Sequence, residues 1–270
     1  MERQVVNIPR RRDDNGPYGT EIVPSAVARL AELLEAASSA VVLTGAGVSV
    51  PSGIPDFRTP ETGLWANVDP MEVAHISVFE GDPERFWSYY RPRFQSLDDK
   101  EPNRAHEVLA ELERRGLIQG VITQNIDRLH RAAGSENVIE VHGSIGTSSC
   151  TACATAFGLD DVDGLFNERG VAICSACGGA VKPDVVLFGE MLPLEAIDRA
   201  TQLAEEADLM LCVGSSLAVH PVAGLPHLTL EAGGRLAIVT KGETPYDDDA
   251  ELKLDGEVDE ELSALLAALG

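Results

Sequence analysis

The chain has 270 residues, 44% of them hydrophobic, with 44 acidic against 21 basic side chains and a formal charge of −23. That is enough apolar content for one large α/β domain with a small insertion, and the charge, which would repel a phosphate backbone, argues against direct nucleic-acid binding. No apolar run approaches the roughly 20 residues of a membrane-spanning helix, and the N-terminus lacks the apolar core of a signal peptide, so a cytoplasmic protein without a membrane partner is expected.

Residues 1–24 hold the run Arg10, Arg11, Arg12, Asp13, Asp14 and the turn formers Asn15, Gly16, Pro17, show no periodicity, and read as a flexible N-terminal arm. Val27, Leu30, Ala31 and Leu34 then recur at helical spacing and lead into a β-branched-rich apolar strand at Val41, Val42 and Leu43. Gly45 and Gly47 follow at once, where a strand would hand over to a helix. Glycines there let the backbone turn tightly and approach a pyrophosphate. The dinucleotide fingerprint is incomplete, because the next glycine is Gly53. Pro51, Pro55 and Pro60 with Gly53 and Gly63 cannot continue as a helix, so residues 51–65 read as an irregular lid over a nucleotide site.

Beyond the lid, residues 71–99 are helical and aromatic-rich. A helix at 105–115 ended by Gly116 precedes a strand at 117–123, and further strands are expected at 138–141, 185–188, 209–213 and 236–239. Helical patterns occupy 194–206, 221–231 and 258–269. The alternation predicts an α/β fold, a Rossmann-like doubly wound parallel sheet with a smaller zinc-ribbon plus helical insertion domain. Residues 25–270 then form one catalytic domain, with core segments 25–54, 100–145 and 181–270, a helical and cofactor-loop insertion at 55–99, and a metal-binding insertion at 146–180.

That last insertion carries Cys150-x-x-Cys153 and Cys174-x-x-Cys177, two close pairs twenty residues apart. The spacing is that of a four-thiolate zinc ribbon, with redox chemistry or an iron–sulfur cluster as the alternatives. Four thiolates close the coordination sphere, so such a zinc is structural. Cys212, inside an apolar strand, reads as a small core residue.

Three loops follow predicted strands at the edge where open α/β sheets bind ligands: Gln124, Asn125, Ile126, Asp127; His142, Gly143, Ser144; and Gly214, Ser215, Ser216. His142 is the candidate general base, since imidazole titrates near neutrality. Its alternative is a strand-end histidine capped by a neighbouring carbonyl. His75, His106, His130, His220 and His227 read as structural.

Gly45-Ala46-Gly47-Val48-Ser49, Gly53-Ile54-Pro55-Asp56-Phe57-Arg58, Gly63-Leu64-Trp65, Thr123-Gln124-Asn125-Ile126-Asp127 with Leu129-His130, Val141-His142-Gly143, the cysteine pairs, Phe188-Gly189-Glu190 and Gly214-Ser215-Ser216-Leu217 occur in series. In order and spacing they resemble the sirtuin family, in its bacterial and archaeal branch. The resemblance covers residues 26–270 and implies an NAD-dependent protein lysine deacetylase or deacylase that moves the acyl group from lysine to ADP-ribose and releases nicotinamide. It implies His142 as the base that deprotonates a ribose hydroxyl, and one structural zinc on Cys150, Cys153, Cys174 and Cys177. For NAD it implies contacts from Gly45, Ala46, Gly47, Val50, Asp56, Phe57, Arg58, Gln124, Asn125, Ile126, Asp127, Gly214, Ser215, Ser216, Thr240, Gly242 and Val258. Phe57 would screen the reactive carbon, while Ile126 and Asp127 would hold the nicotinamide carboxamide. An acyl-lysine protein or peptide would add as a strand between residues 191–194 and 217–221, with Val186, Phe188, Gly189, Glu190 and Leu217 binding the substrate.

Two features modify the carry-over. Thr240 stands where the family usually has an asparagine on the adenosine ribose, and a hydroxyl replaces only part of an amide's hydrogen bonding. Tyr90 and Arg93, at i, i+3 spacing, align with the pair that reads acidic acyl groups in desuccinylase-like sirtuins. A desuccinylase-type activity, and ADP-ribosyl transfer or NAD hydrolysis on the same fold, are the alternatives.

Overall fold

The computed structural model describes residues 25–56, 63 and 68–270; the expected arm at 1–24, Phe57, Arg58 and much of the 51–65 lid lie outside the described residues. Ser25 accepts a hydrogen bond from Ala28 N and starts helix α1 (Ala26–Ala36), whose Leu30, Leu33 and Leu34 are buried. Each such leucine stabilises the fold by roughly 2 kcal/mol. Strand β1 (Ala40–Thr44) follows and is buried along its whole length, as expected of a strand covered on both faces.

Residues Ala46–Ser52 then coil as a 3-10 turn, not as the helix expected at that junction. Pro51 has no N–H to give, and Gly53, at φ 77°, ends the turn in the left-handed region. The aromatic-rich stretch forms α2 (Pro70–Val73), α3 (Ile76–Gly81) and α4 (Pro83–Asp98). Helix α5 (Arg104–Arg114) leads to β2 (Val121–Thr123), α6 (Leu129–Ala132) and β3 (Val138–Glu140). Next come β4 (Gly143–Cys150), β5 (Ala156–Gly158), α7 (Leu159–Val162) and β6 (Val181–Val185). The chain finishes with α8 (Leu194–Glu206), β7 (Leu209–Val213), α9 (Leu225–Glu231), β8 (Arg235–Val239), β9 (Leu252–Leu254) and α10 (Val258–Ala268).

The main sheet has the order β3-β2-β1-β7-β8-β9, parallel throughout. Counting only its own strands, this is the 3-2-1-4-5-6 order of a doubly wound dinucleotide-binding sheet, and it reverses between β1 and β7. Alternate residues of β1 feed opposite cores. Ala40 and Val42 pack with leucines of α1, α5 and α10, while Val41 and Leu43 pack with Ala200 and Leu203 of α8 and Leu225 of α9.

Two elements differ from the sequence reading. The apolar run 185–188 is not a strand of the main sheet. The strand there is β6, which pairs antiparallel with β4 in a separate sheet of order β5-β4-β6. Its alternating burial, one face in and one out, marks an antiparallel strand. Strand β9 went unpredicted because Leu252, Lys253 and Leu254 are too short a run to carry a period.

The small sheet and the helical insertion share one core. Phe79, Phe86, Trp87 and Phe94 pack against Ile145, Val162, Val171, Ala172, Val181 and Leu187. Phe86 is fully buried and meets Phe79 and Trp87 edge-on, with centroids at 5.1 and 5.6 Å. Trp87 donates its indole N–H to Val181 O at 3.2 Å, closing the join. No helix among the described residues is long and apolar enough to cross a membrane.

Candidate active site

The crevice lies at the carboxyl ends of β1, β2 and β7, where the strand order reverses. Thr44 and Thr123 are register partners at the ends of β1 and β2, and the loops beyond them converge. Gly47 N donates to Gly214 O at 2.8 Å, and a Cβ on Gly47 would sit 2.7 Å from that oxygen. A Cβ on Gly214, at φ 59°, would collide with Val48 N. The two strand-end loops therefore pack backbone on backbone. The glycines that read as a phosphate turn are required first by this contact.

The β2 loop supplies the polar groups. Asn125 Nδ2 donates to Gly45 O at 3.2 Å and to Ser49 Oγ at 3.0 Å. Gly45 O can only accept, which fixes the amide's orientation and leaves Oδ1 as the acceptor the residue can offer to a ligand. Ser49 donates to Asp127 Oδ2 at 2.7 Å, and Leu129 N donates to Asp127 Oδ1 at 3.0 Å, so both carboxylate oxygens are anchored. Gln124 Nε2 reaches Ser215 Oγ at 2.9 Å, tying the β2 loop to the β7 loop.

His142 follows β3 and is partly buried. Its Nδ1 lies 3.0 Å from Gln124 O, a carbonyl, so Nδ1 carries the proton and Nε2 holds the lone pair. The carbonyl cap does not compete with a role as general base, because it sets the tautomer a base needs. Burial holds the imidazole below its ordinary value, against a smaller upward pull from the Gln124 carbonyl.

The remaining expected contacts spread along the sheet. Ala46 and the half-exposed Val50 sit on the 3-10 turn, and Asp56 closes the described part of that segment. Ile126 leans toward the aromatic core, and its carbonyl accepts from Ile145 N at 3.1 Å. Ser216 is exposed beside the buried Ser215. At the far end Thr240 is buried, its N–H given to Leu254 O, while Gly242 N donates to Asp255 Oδ1 at 2.9 Å. Val258 is buried at the start of α10 in the same core as Val48.

The segment expected to hold substrate is clamped from one side. Phe188 N donates to Ala74 O and Ile76 N to Phe188 O, a bridge between the small-domain helices and residues 187–190. A Cβ on Gly189, at φ 87°, would sit 2.7 Å from His75 Nε2. Glu190 turns inward, accepting from Leu187 N at 2.8 Å and pairing with Lys182 at 3.0 Å, so its side chain braces the turn. Phe188 keeps its side chain 44% exposed, Val186 is half-buried, and Leu217 is buried at φ 51°. Tyr90 stacks on Phe86 at 4.6 Å, and burial raises its phenol above the usual range. Arg93 lies 3.3 Å over the Tyr89 ring and donates to Tyr89 O at 2.6 Å. Among the described residues no carboxylate pairs with it.

The four cysteines come together at the tip of the small sheet, with all four sulfurs within 4.8 Å of one another. Contacts of 3.4 Å between Cys150 and Cys177 and 3.7 Å between Cys153 and Cys174 match sulfurs about 2.3 Å from a common tetrahedral centre. Two like turns build the site, with Ala154 N donating to Cys150 O and Gly178 N to Cys174 O. Gly179 must lack a side chain, since a Cβ there would touch Ala152 at 2.8 Å and Cys150 Sγ at 3.0 Å. The quartet is positioned to bind one zinc ion and leaves no ligand position for substrate.

Sequence reasoning missed a buried polar layer under this crevice. Thr44, Ser49, His106, Thr123 and His130 are all buried there, and His106 and His130 touch edge-on at 4.9 Å. One local signal was available: Asn103-x-x-His106 is a capping box, in which Asn103 N donates to His106 Nδ1 while the Asn103 side chain accepts from the helix.

Residues 45–221 match the Sir2 family. The chain is 46% identical over 224 residues to an NAD-dependent protein deacetylase of Sulfolobus acidocaldarius, covering 83% of this chain and 87% of that one. It is 44% identical over 227 residues to an NAD-dependent protein deacetylase of Thermotoga maritima, covering 84% and 92%. Among solved structures, a complex of Sir2 with a p53 peptide and NAD+ superposes with a TM-score of 0.80 at 42% identity, over 88% of this chain and 96% of that one. Sir2Tm bound to a propionylated peptide superposes at 0.82 with 40% identity, over 90% and 98%. A chain with this sheet order, this crevice and these relatives belongs to the Sir2 family.

Proposed function

We propose that this protein is an NAD-dependent protein lysine deacylase, which moves the acyl group of a modified lysine to ADP-ribose and releases nicotinamide. The observation that carries the reading is His142, held as the Nδ1–H tautomer by Gln124 O with Nε2 free, in a member of the Sir2 family. Bound NAD would supply the electrophilic sugar carbon and nicotinamide as the leaving group.

The chain's own residues supply orientation and proton handling. His142 Nε2 takes a proton from a ribose hydroxyl, a task for an imidazole that is neutral at physiological pH. Asn125 Oδ1 accepts from a second hydroxyl or an ordered water. Asp127, with both oxygens anchored, presents a fixed carboxylate edge to the carboxamide. The tightly packed Gly45, Gly47 and Gly214 let phosphate approach the backbone, with Ser215, Ser216, Thr240 and Gly242 toward the adenosine half. An acyl-lysine peptide pairs by main chain between residues 191–194 and 217–221, next to the 187–190 turn that His75 braces. Residues 25–270 act as the catalytic unit, and a metal-binding cysteine quartet without disulfides suits the reducing cytoplasm.

Mass spectrometry of an acyl-lysine peptide panel incubated with NAD tests the reading. Loss of the acyl mass from peptide with matching gain on ADP-ribose is expected. Nicotinamide release at the same rate without any peptide would instead indicate NAD hydrolysis, and ADP-ribose added to peptide would indicate transfer.

One observation favours a second reading, an added preference for acidic acyl groups: Arg93 is half-buried beside Tyr90 with no carboxylate partner among the described residues. Comparing release of acetyl and succinyl from one peptide decides it. Absence of succinyl release, or release unchanged in Arg93→Met, excludes it.

A further inference from the structure

Resting on the deacylase reading, we propose that His130 and Thr44 are positioning residues for the reaction. A buried hydrogen-bond chain from His130 through Thr44 to Thr123 sets the 123–125 main chain, and with it the aim of Asn125 and the tautomer of His142.

The chain can be followed proton by proton. Thr44 Oγ1 donates to Thr123 Oγ1 at 2.8 Å, and Asn125 N donates to the same oxygen at 3.1 Å. Having spent its proton, Thr44 Oγ1 must accept at its 2.9 Å contact with His130 Nε2, so that nitrogen is the donor. His130 Nδ1 is buried with no partner. A lone pair left there costs less than a buried N–H without an acceptor, so the ring is locked as Nε2–H.

A second arm reaches the same loop. Ser49 gives its one proton to Asp127, so His106 Nε2 is the donor in its long 3.4 Å contact with Ser49 Oγ, while His106 Nδ1 accepts from Asn103 N. Two imidazoles in edge contact thus direct one donor to Thr44 at the end of β1 and the other to Ser49 on the turn that follows it.

The consequence lies at residues 123–125. Thr123 Oγ1 anchors Asn125 N, and between them lies Gln124, whose carbonyl holds His142 Nδ1. Loosening Thr123 would let that carbonyl rotate, and His142 would lose the bond that keeps Nε2 unprotonated and aimed. The 187–190 turn that leads into the proposed peptide-binding segment is clamped through other groups, so peptide affinity should not follow.

Steady-state kinetics on the full chain, with wild type, Thr44→Val, Thr44→Ser, His130→Leu and His130→Gln, test this. Thr44→Val and His130→Leu should lower kcat roughly tenfold with peptide KM within about twofold. Thr44→Ser restores the hydroxyl, and His130→Gln places an amide N–H where Nε2 stood, so both should return kcat to within about twofold of wild type. Wild-type kcat in Thr44→Val, or Thr44→Ser as impaired as Thr44→Val, overturns the assignment. Nitrogen NMR shifts of the wild-type imidazoles give a reading that needs no variant: His130 should be protonated at Nε2, and a ring protonated at Nδ1 overturns it. A wild type that moves no acyl group overturns the deacylase reading, and this assignment with it; an active wild type with an unaffected Thr44→Val overturns this assignment alone.

Discussion

The crevice of the large sheet and the small domain beside it are held by opposite means. In the crevice, Asn125, Asp127 and His142 are fixed by hydrogen bonds to backbone atoms and to a buried layer of threonine, serine and histidine. In the small domain, four thiolates and a cluster of aromatic rings hold the segments together, and the cysteines are closed to substrate. Hydrogen bonds set direction and protonation state, which chemistry needs. Metal coordination and ring packing set position alone, which is sufficient for a wall.

The contrast predicts that damage to the small domain acts through folding and damage to the crevice acts through rate. The largest effect should come from the metal. Structural zinc sites contribute about 10–16 kcal/mol of apparent binding energy, so Cys153→Ser or a strong chelator should release one zinc and melt the β4–β6 sheet. Metal analysis with circular dichroism reads this, and a chelated protein with unchanged spectrum and melting temperature would break the contrast.

His142→Ala should do the reverse, lowering kcat/KM by ~10²–10⁴-fold with an almost unchanged melting temperature. Because burial lowers the His142 value, the base is neutral throughout the physiological range. The wild-type kcat/KM should therefore be flat above pH 6.5 and fall only as pH drops through the lowered value. An acid limb centred above the ordinary histidine range of about 6.5 would contradict the assigned environment.

Phe86→Ala removes a fully buried ring between Phe79 and Trp87 and should cost about 3–5 kcal/mol in chemical denaturation. The acetyl-lysine activity of the folded fraction should be largely kept, since Tyr90 of the second reading is the proposed site residue that Phe86 stacks on and His142, Asn125 and Asp127 are held by other groups.

The smallest effect belongs to the buried imidazoles. Burial depresses His106 to about 4, against a smaller upward pull from Asp127, and His130 to about 3, with neighbouring His106 pushing the same way. An unfolded histidine takes up its proton near pH 6.5, so between pH 6 and pH 5 the unfolded chain binds protons at these two positions that the folded one refuses. Stability then falls as pH falls, by about 1.4 kcal/mol per histidine per pH unit. Denaturation midpoints across that window measure it, and replacing either histidine with glutamine should flatten the slope.

How much of this could be read from the chain depends on how local each cause is. Val41, Val42 and Leu43 announce a buried strand because β-branched runs with a following Gly-x-Gly are local patterns, and the cysteine pairs announce a metal because both knuckles are closed by neighbours in sequence. The run at 185–188 misled, since its apolar content is shared between the small sheet and the 187–190 turn, and only tertiary pairing with β4 separates the two. Gly47 was legible as a turn, yet its strictest requirement is contact with the backbone of Gly214, which no local pattern encodes. His106 and His130 read as structural residues, but their partners are not local. His130 meets Thr44, which pairs with Thr123 only once β1 and β2 lie side by side, and His106 meets Ser49 of the turn after β1.

The central claim is that one crevice couples nicotinamide release to acyl transfer through His142. The most direct measurement is release of labelled nicotinamide from NAD, with and without an acetyl-lysine peptide, alongside quantification of free lysine peptide and acyl-ADP-ribose in wild type and His142→Ala. Peptide-dependent release with all three products in equal amounts, and loss of the last two in His142→Ala, is the predicted result. Release that ignores the peptide, or deacylation that survives His142→Ala undiminished, would contradict it.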